Sequence, residues 1–192
     1  MYRKNVVIVV FDQEKNLCLV GNRAGFKDAW QFPQGGVDLG ESFLEAAKRE
    51  LYEEMGISYY SKAQTFDDWV QNKERNLTCS KYANLGEFQE EFDPELYSKK
   101  NDKDLFWSSK PNVELIKAAG PYRYDYPSHV KRKEVGQEQI WVLAIKNAAV
   151  LAIKLNSEFS AYTWLSPAQI AEKIVDFKQK VYENALSDLG LI

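Results

Sequence analysis

Only two cysteines, Cys18 and Cys79, and one histidine, His129, occur among the 192 residues. Two distant thiols make no disulfide framework, and their spacing suggests no metal site. Cys18, flanked by Leu17 and Leu19, reads as a buried thiol in a strand. An excess of basic charge is also missing. With 25 Lys and Arg against 28 Asp and Glu, the net charge is −3, so no overall field draws in nucleic acid. A polyanionic ligand would have to be met by metal ions and local cations. The apolar run at residues 6–11 is too short for a membrane span, and no signal peptide is visible. The expectation is a cytoplasmic chain with no membrane partner. A content of 45% hydrophobic and 28% charged residues suits one globular domain, residues 1–192, with a real core.

What the chain does have is residues 35–57, GGVDLGESFLEAAKRELYEEMGI. Ser42 followed by Glu45 forms a capping box, which predicts a helix over 43–55. Leu44, Ala47, Leu51 and Met55 give it a narrow apolar stripe. Gly56 can take the left-handed position after the last turn, with Ile57 folding back. Glu50, Glu53 and Glu54 share one side of this helix. Glu50 and Glu54 fall on the shoulder of the stripe, neither in the core nor fully in solvent. Arg49 neighbours Glu45 and Glu53, well placed to pin carboxylates. Gly35, Gly36 and Gly40 just before the helix permit a tight loop and a close backbone approach to a ligand. Acids gathered in this way repel one another unless cations hold them, and hard oxygen donors suit Mg²⁺ or Mn²⁺.

These residues resemble the Nudix box, G-x5-E-x7-R-E-U-x-E-E-x-G-U, where U is aliphatic. Gly35, Glu41, Arg49, Glu50, Leu51, Glu53, Glu54, Gly56 and Ile57 fill every fixed position. A solvated acidic helix face would not require nine specified positions at fixed spacing. Flanking stretches narrow the resemblance: YRKN at 2–5, AWQFPQGG at 29–36, GQEQIW at 136–141 and VDFKQKVY at 175–182. They are similar to the Nudix group that holds bacterial RNA pyrophosphohydrolases and plant-type asymmetric diadenosine tetraphosphate hydrolases.

The resemblance implies a Nudix pyrophosphohydrolase using Mg²⁺, with Mn²⁺ as an alternative. Its substrate would be 5′-triphosphorylated RNA or a dinucleoside polyphosphate. A non-catalytic nucleotide-binding module is the rival reading, disfavoured because all the box glutamates are present. By position, Glu50, Glu53, Glu54 and the remote Glu158 would bind metal. Glu54 is the first choice for orienting or deprotonating water and Glu158 the second. Arg49 would hold carboxylates, with Glu41 an outer acid, and the backbone of Gly35 and Gly36 would line the phosphate path. Arg23 and Phe177 sit where the group sandwiches a nucleobase, although Phe177 also continues a helix-core stripe. Arg3 and Lys178 match phosphate-facing positions or are plain surface charges. Glu138 stands where the group usually has lysine, and Lys131, Arg132, Lys133 and Arg123 form the best basic patch. His129 beside that patch reads as solvent-exposed.

Elsewhere the pattern predicts strands at 5–11, 17–21, 138–146, 148–155 and 159–165. Ser166 and Pro167 start a helix carrying Ile170, Ile174, Phe177, Val181 and Ala185 on one face to about residue 186. Residues 58–120 form a large insertion whose aromatics, including Trp69, Phe88, Phe92, Phe106 and Trp107, argue for folding against something. Within it, 66–70 reads as a short element and 112–119 as a short strand or helix. The fold class is α/β: a mixed sheet sandwiched between helices.

Overall fold

The computed structural model describes residues 1–57, 59–61, 112–129, 132–147, 150–174 and 176–192. Cys79, Lys131, the element at 66–70 and the aromatics at 69–107 lie outside them. Its centre is β1 (Tyr2–Asp12), whose residues Val6 to Val10 are wholly buried. A strand with apolar side chains on both faces needs cover on both. β1 runs parallel to β7 (Gly136–Lys146) along ten residue pairs and antiparallel to β2 (Leu17–Arg23) and β4 (Gln34–Gly36). The remaining strands are β3 (Trp30–Gln31), β5 (Tyr59–Ser61), β6 (Val113–Asp125) and β8 (Phe159–Leu165). They complete an eight-stranded mixed sheet of order β3-β2-β1-β7-β6-β5, with β8 beside β2 and β4 beside β1.

Alternation along β1 sends side chains to two separate cores. Val6, Ile8 and Val10 pack with Ala47, Leu51 and Met55 of α1 (Phe43–Met55). Val7 and Val9 pack with Trp141, Tyr182, Ala185 and Leu186, the last three on α3 (Asp176–Asp188). α2 (Pro167–Lys173) adds Ile170 to the second core. Burying each large apolar side chain contributes roughly 1.5–3 kcal/mol, so the sheet and its two covers stabilise one another. The α/β class predicted from pattern is therefore present. No described helix is long and apolar enough to cross a membrane.

The two helix starts also form as expected. Ser42 and Glu45 close a capping box on α1, and Gly56 takes φ 66° with its N–H on the carbonyls of Leu51 and Tyr52. Cys18 is fully buried on β2.

Three local expectations give way, while the short strand or helix read at 112–119 forms as a strand. The strand expected at 148–155 is irregular over its described part, 150–155. Its backbone instead satisfies the end of α1: Lys154 N–H donates to Met55 O at 2.9 Å and Asn156 N–H to Glu54 O at 3.3 Å. The single C-terminal helix is two, because Ile174 takes extended dihedrals (φ −77°, ψ 143°) and ends α2. That break resets the phase, leaving Ile174 and Val181 in the core while Phe177 turns out, 42% exposed. Residues 113–120 belong to β6, and β5 pairs parallel to it, so both ends of the 58–120 segment lie in the sheet. Gly35 and Gly36 are strand residues on β4, leaving Gly40 with φ 82° as the turn former.

Candidate active site

The acids of α1 lie against β4 because β4 has no side chains there. A Cβ on Gly35 would sit 1.8 Å from the Glu50 carboxyl. Gly36 faces the other side of the strand, where a Cβ would meet the Arg3 guanidinium at 2.5 Å. β4 thus passes between an anionic site on the α1 face and a cation on the α3 face.

Arg49 organises the anionic side. Its Nε and Nη2 grip both oxygens of Glu41 at 2.8 Å, and Nη2 also donates to Gly36 O at 2.8 Å. Nη1 donates to Glu50 at 2.6 Å and Glu53 at 3.3 Å. Such charge-assisted bonds lock the acids in place. They also hold the guanidinium far above its ordinary range, Glu41 being the main cause. Glu45 is absent from this set because it closes the capping box with Ser42.

Glu54 is only 2% exposed, deeper than its shoulder position on the stripe implies. One oxygen accepts from Gln34 N–H at 2.9 Å, while Oε1 is buried with no hydrogen-bond partner. Burial foremost, then the adjacent Glu158 carboxyl, pushes Glu54 up to about 9. Two ionised carboxylates cannot hydrogen-bond each other; they need a shared proton or a cation between them. Glu50 is raised as well, chiefly by burial, with Glu53 and Glu158 adding to it. Glu53 is the most open of the three, its side chain 53% exposed.

Among the described residues no three His, Cys, Asp or Glu side chains form a ready ion cage. Arg49 occupies one oxygen each of Glu50 and Glu53, leaving the other free to turn. Hard oxygen donors in excess of positive charge, with a buried oxygen lacking any partner, fit a divalent cation. Glu50, Glu54 and Glu158 are the residues that would hold it, with Glu53 at the rim.

On the opposite side of β4 lie cations and rings. Tyr124 packs its ring 5.6 Å from Phe177 and 6.0 Å from Tyr126. The Lys178 ammonium sits 5.4 Å from the Tyr124 ring, and the Arg23 guanidinium 4.7 Å from Phe26. Desolvation first, then Arg23 and Arg132, lower Lys178 to about 8.

The NUDIX domain family profile matches residues 1–107. The chain belongs to the Nudix family. As a Nudix hydrolase it acts on phosphorus-containing acid anhydrides, and the family as a whole uses divalent cations. An RNA pyrophosphohydrolase of Ruthia magnifica is 28% identical across 98% of this chain and 82% of its own length. Another, from Francisella tularensis, is 30% identical across 97% and 92%. The fold is shared with a C. elegans Ap4A hydrolase, at a TM-score of 0.55 and 14% identity over 98% of both chains. A Nudix hydrolase from Nitrosomonas europaea gives 0.54 and 13% over 99% and 89%.

Two clusters therefore gather the residues singled out in this Nudix hydrolase's sequence. Glu41, Arg49, Glu50, Glu53, Glu54 and Glu158 form one, against Gly35. Arg3, Arg23, Phe177 and Lys178 frame the other, against Gly36. Arg123 is neutralised by Glu138 at 2.5 Å and leaves the expected basic patch. His129 is exposed, as read.

A layer between the clusters went unrecognised in the sequence. Gln139 is wholly buried and donates from Nε2 to Gln34 at 3.1 Å, Gln137 at 3.0 Å and Asn5 at 3.3 Å. It accepts from Trp141 Nε1 at 3.2 Å, and Tyr124 OH donates to Gln137 at 2.7 Å. The available signal was the pair of amides in GQEQIW, at alternate positions of a strand otherwise apolar enough to be buried.

Proposed function

We propose that this Nudix hydrolase converts 5′-triphosphorylated RNA to 5′-monophosphorylated RNA and pyrophosphate, with Mg²⁺ as the preferred ion and Mn²⁺ as an alternative. The observation that carries this reading is Glu54: buried, fixed at one oxygen by Gln34 N–H, and unpartnered at the other beside Glu158. Full-length similarity to proteins named RNA pyrophosphohydrolase supports the substrate.

Water attacks the α-phosphorus, the bond from that phosphorus to the α–β bridging oxygen breaks, and pyrophosphate leaves. A divalent cation held by Glu50, Glu54 and Glu158, with Glu53 at the rim, would relieve charge on the phosphate oxygens and make the water more acidic. Glu54, which would give up its own proton where a cation is held beside it, takes the proton of the water, a task suited to a carboxylate whose affinity for protons is raised by burial. Glu158 is the second candidate for that role. Arg49 keeps Glu41 and Glu50 in register, and Gly35 and Gly36 let the phosphates approach the backbone. Arg3 and Lys178 meet phosphate charge, while Arg23 and the exposed Phe177 ring grip a base between them.

Side-by-side product analysis with Mg²⁺ tests the reading, using 5′-triphosphate RNA, diadenosine tetraphosphate and ATP. The RNA yields pyrophosphate with the highest kcat/KM. Faster asymmetric cleavage of the dinucleotide would move the chain to the alternative, a dinucleoside polyphosphate hydrolase. Wild-type turnover in the Glu54→Gln variant would remove Glu54 from the mechanism.

A further inference from the structure

Two groups of cations stand out among the described residues. Arg49, Arg123 and Lys146 each face a carboxylate. Arg3, Arg23, Arg132 and Lys178 make no ion pair with any described residue, yet they gather at one end of the sheet's α3 face. Arg3 abuts Gly36. Lys178 lies within electrostatic reach of Arg23 from β2 and Arg132 from the β6–β7 connection. Like charges held together without an anion cost free energy, and phosphate contacts are the usual relief.

Aromatic rings run beneath these cations. Phe177, Tyr124 and Tyr126 form a row with 5.6 and 6.0 Å between neighbours. Lys178 lies over the first two rings, and the Arg132 guanidinium lies 5.1 Å from the third. Cations interleaved with rings along one track are how proteins follow a single strand. The α1 face at the same end is closed to this use. There Glu138 neutralises Arg123, which stacks 5.2 Å over Tyr2, whose hydroxyl donates to Asp125.

Sheet register sets the order along the track. Val6 pairs with Gly35, beside Glu50, and Tyr2 pairs with Gly136, where the connection carrying Arg132 returns. Four residues of strand separate them, roughly 13 Å at the usual rise. Arg132 is too far along to share a phosphate with Glu50 and Glu54. We infer that Arg132, stacked over Tyr126, holds a backbone phosphate of RNA downstream of the 5′ nucleotide, so that it determines specificity for an RNA chain over a mononucleotide or dinucleoside polyphosphate. This inference rests on the RNA reading proposed above.

Two measurements test it on the full chain. Steady-state kinetics with ATP and with 5′-triphosphate RNAs of two, three and ten nucleotides compare wild type with Arg132→Ala and Arg132→Lys. Fluorescence anisotropy follows binding of a 5′-hydroxyl decaribonucleotide, which has no phosphoanhydride to cleave. In Arg132→Ala the ratio of kcat/KM on the decamer to that on ATP falls about fivefold, through KM, and the salt slope of binding drops by about one. Arg132→Lys recovers part of the loss, and ATP turnover reports the fold of each variant. A loss equal on every substrate, or no loss of decamer binding, overturns the inference. Weakened decamer binding with no cleavage of triphosphorylated RNA by the wild type would sustain Arg132 and overturn the proposed reaction instead.

Discussion

Gln34 donates its backbone N–H to Glu54 at 2.9 Å, which leaves the other oxygen of that carboxylate facing Glu158 with nothing to bond. Burial first, and the Glu158 carboxyl second, push Glu54 up to about 9 in the ion-free protein, against an ordinary 4.5, although the Gln34 N–H pulls the other way. Between those values the unfolded chain loses a proton that the folded chain retains. Stability is thus full below the ordinary carboxylate range and falls as pH rises toward about 9. Urea unfolding in EDTA from pH 5 to 9 should show that decline for wild type and a flatter profile for Glu54→Gln. Parallel profiles would mean Glu54 is ionised in the apo fold.

A divalent ion offsets the same repulsion. Added Mg²⁺ should raise the Tm of wild type, more at pH 8 than at pH 6 because protons compete for the same oxygens. EDTA should abolish turnover. Calorimetric titration with the metal alone checks the binding, and equal affinity in wild type and a Glu50→Gln, Glu54→Gln double variant would exclude this site.

Gly35 allows the acids to reach β4. A methyl group there would overlap the Glu50 carboxyl, 1.8 Å from the Cβ position. Gly35→Ala should cut kcat by 100-fold or more, roughly 2.7 kcal/mol of transition-state stabilisation. Far-ultraviolet circular dichroism should stay unchanged, because the strand keeps its hydrogen bonds. Turnover within threefold of wild type would show that Glu50 can move aside without consequence.

The box helix was legible because its signals are local. Ser42, Glu45 and Gly56 act within one turn of themselves, and Leu51 and Met55 follow one period. The depth of Glu54 was not, since it depends on the chain at 150–156 folding over the end of α1. Phe177 was ambiguous for a similar reason. Its exposure turns on one extended residue, Ile174, that no helix-breaking residue type announces. Likewise, the pairing of Arg123 with Glu138 follows from β6–β7 register, where the two residues sit opposite each other.

Away from the site, Lys146 donates to Asp12 at 2.8 Å with both side chains almost buried. That bond is the main reason Asp12 lies below the ordinary carboxylate range. Its contribution is present above that range and is lost as pH falls through the lowered value. Asp12→Asn leaves the Lys146 ammonium buried and unpaired, at a cost of about 3 kcal/mol. Chemical denaturation at pH 7 measures it, and the gap from wild type should close as pH falls through the lowered Asp12 value. A gap that persists undiminished there would assign the loss to packing.

Gln139 joins the two clusters and should affect both stability and rate. Gln139→Met keeps the volume but strands Gln34 Oε1, Asn5 Oδ1 and Trp141 Nε1, while Gln137 Oε1 keeps only its bond from Tyr124. Each unsatisfied buried group costs about 1–3 kcal/mol. Partial rearrangement leaves an expected loss of about 3 kcal/mol, or a Tm drop near 10 °C for a chain this size. Gln34 also carries the N–H that fixes Glu54, so kcat should fall with KM nearly constant, and the pH–rate profile should shift with the proton affinity of Glu54. Tyr124→Phe removes only the bond to Gln137, at the ring beneath Lys178, and should raise KM instead. A fall in Tm with kcat, KM and the pH profile all unchanged would reduce the amide layer to scaffolding.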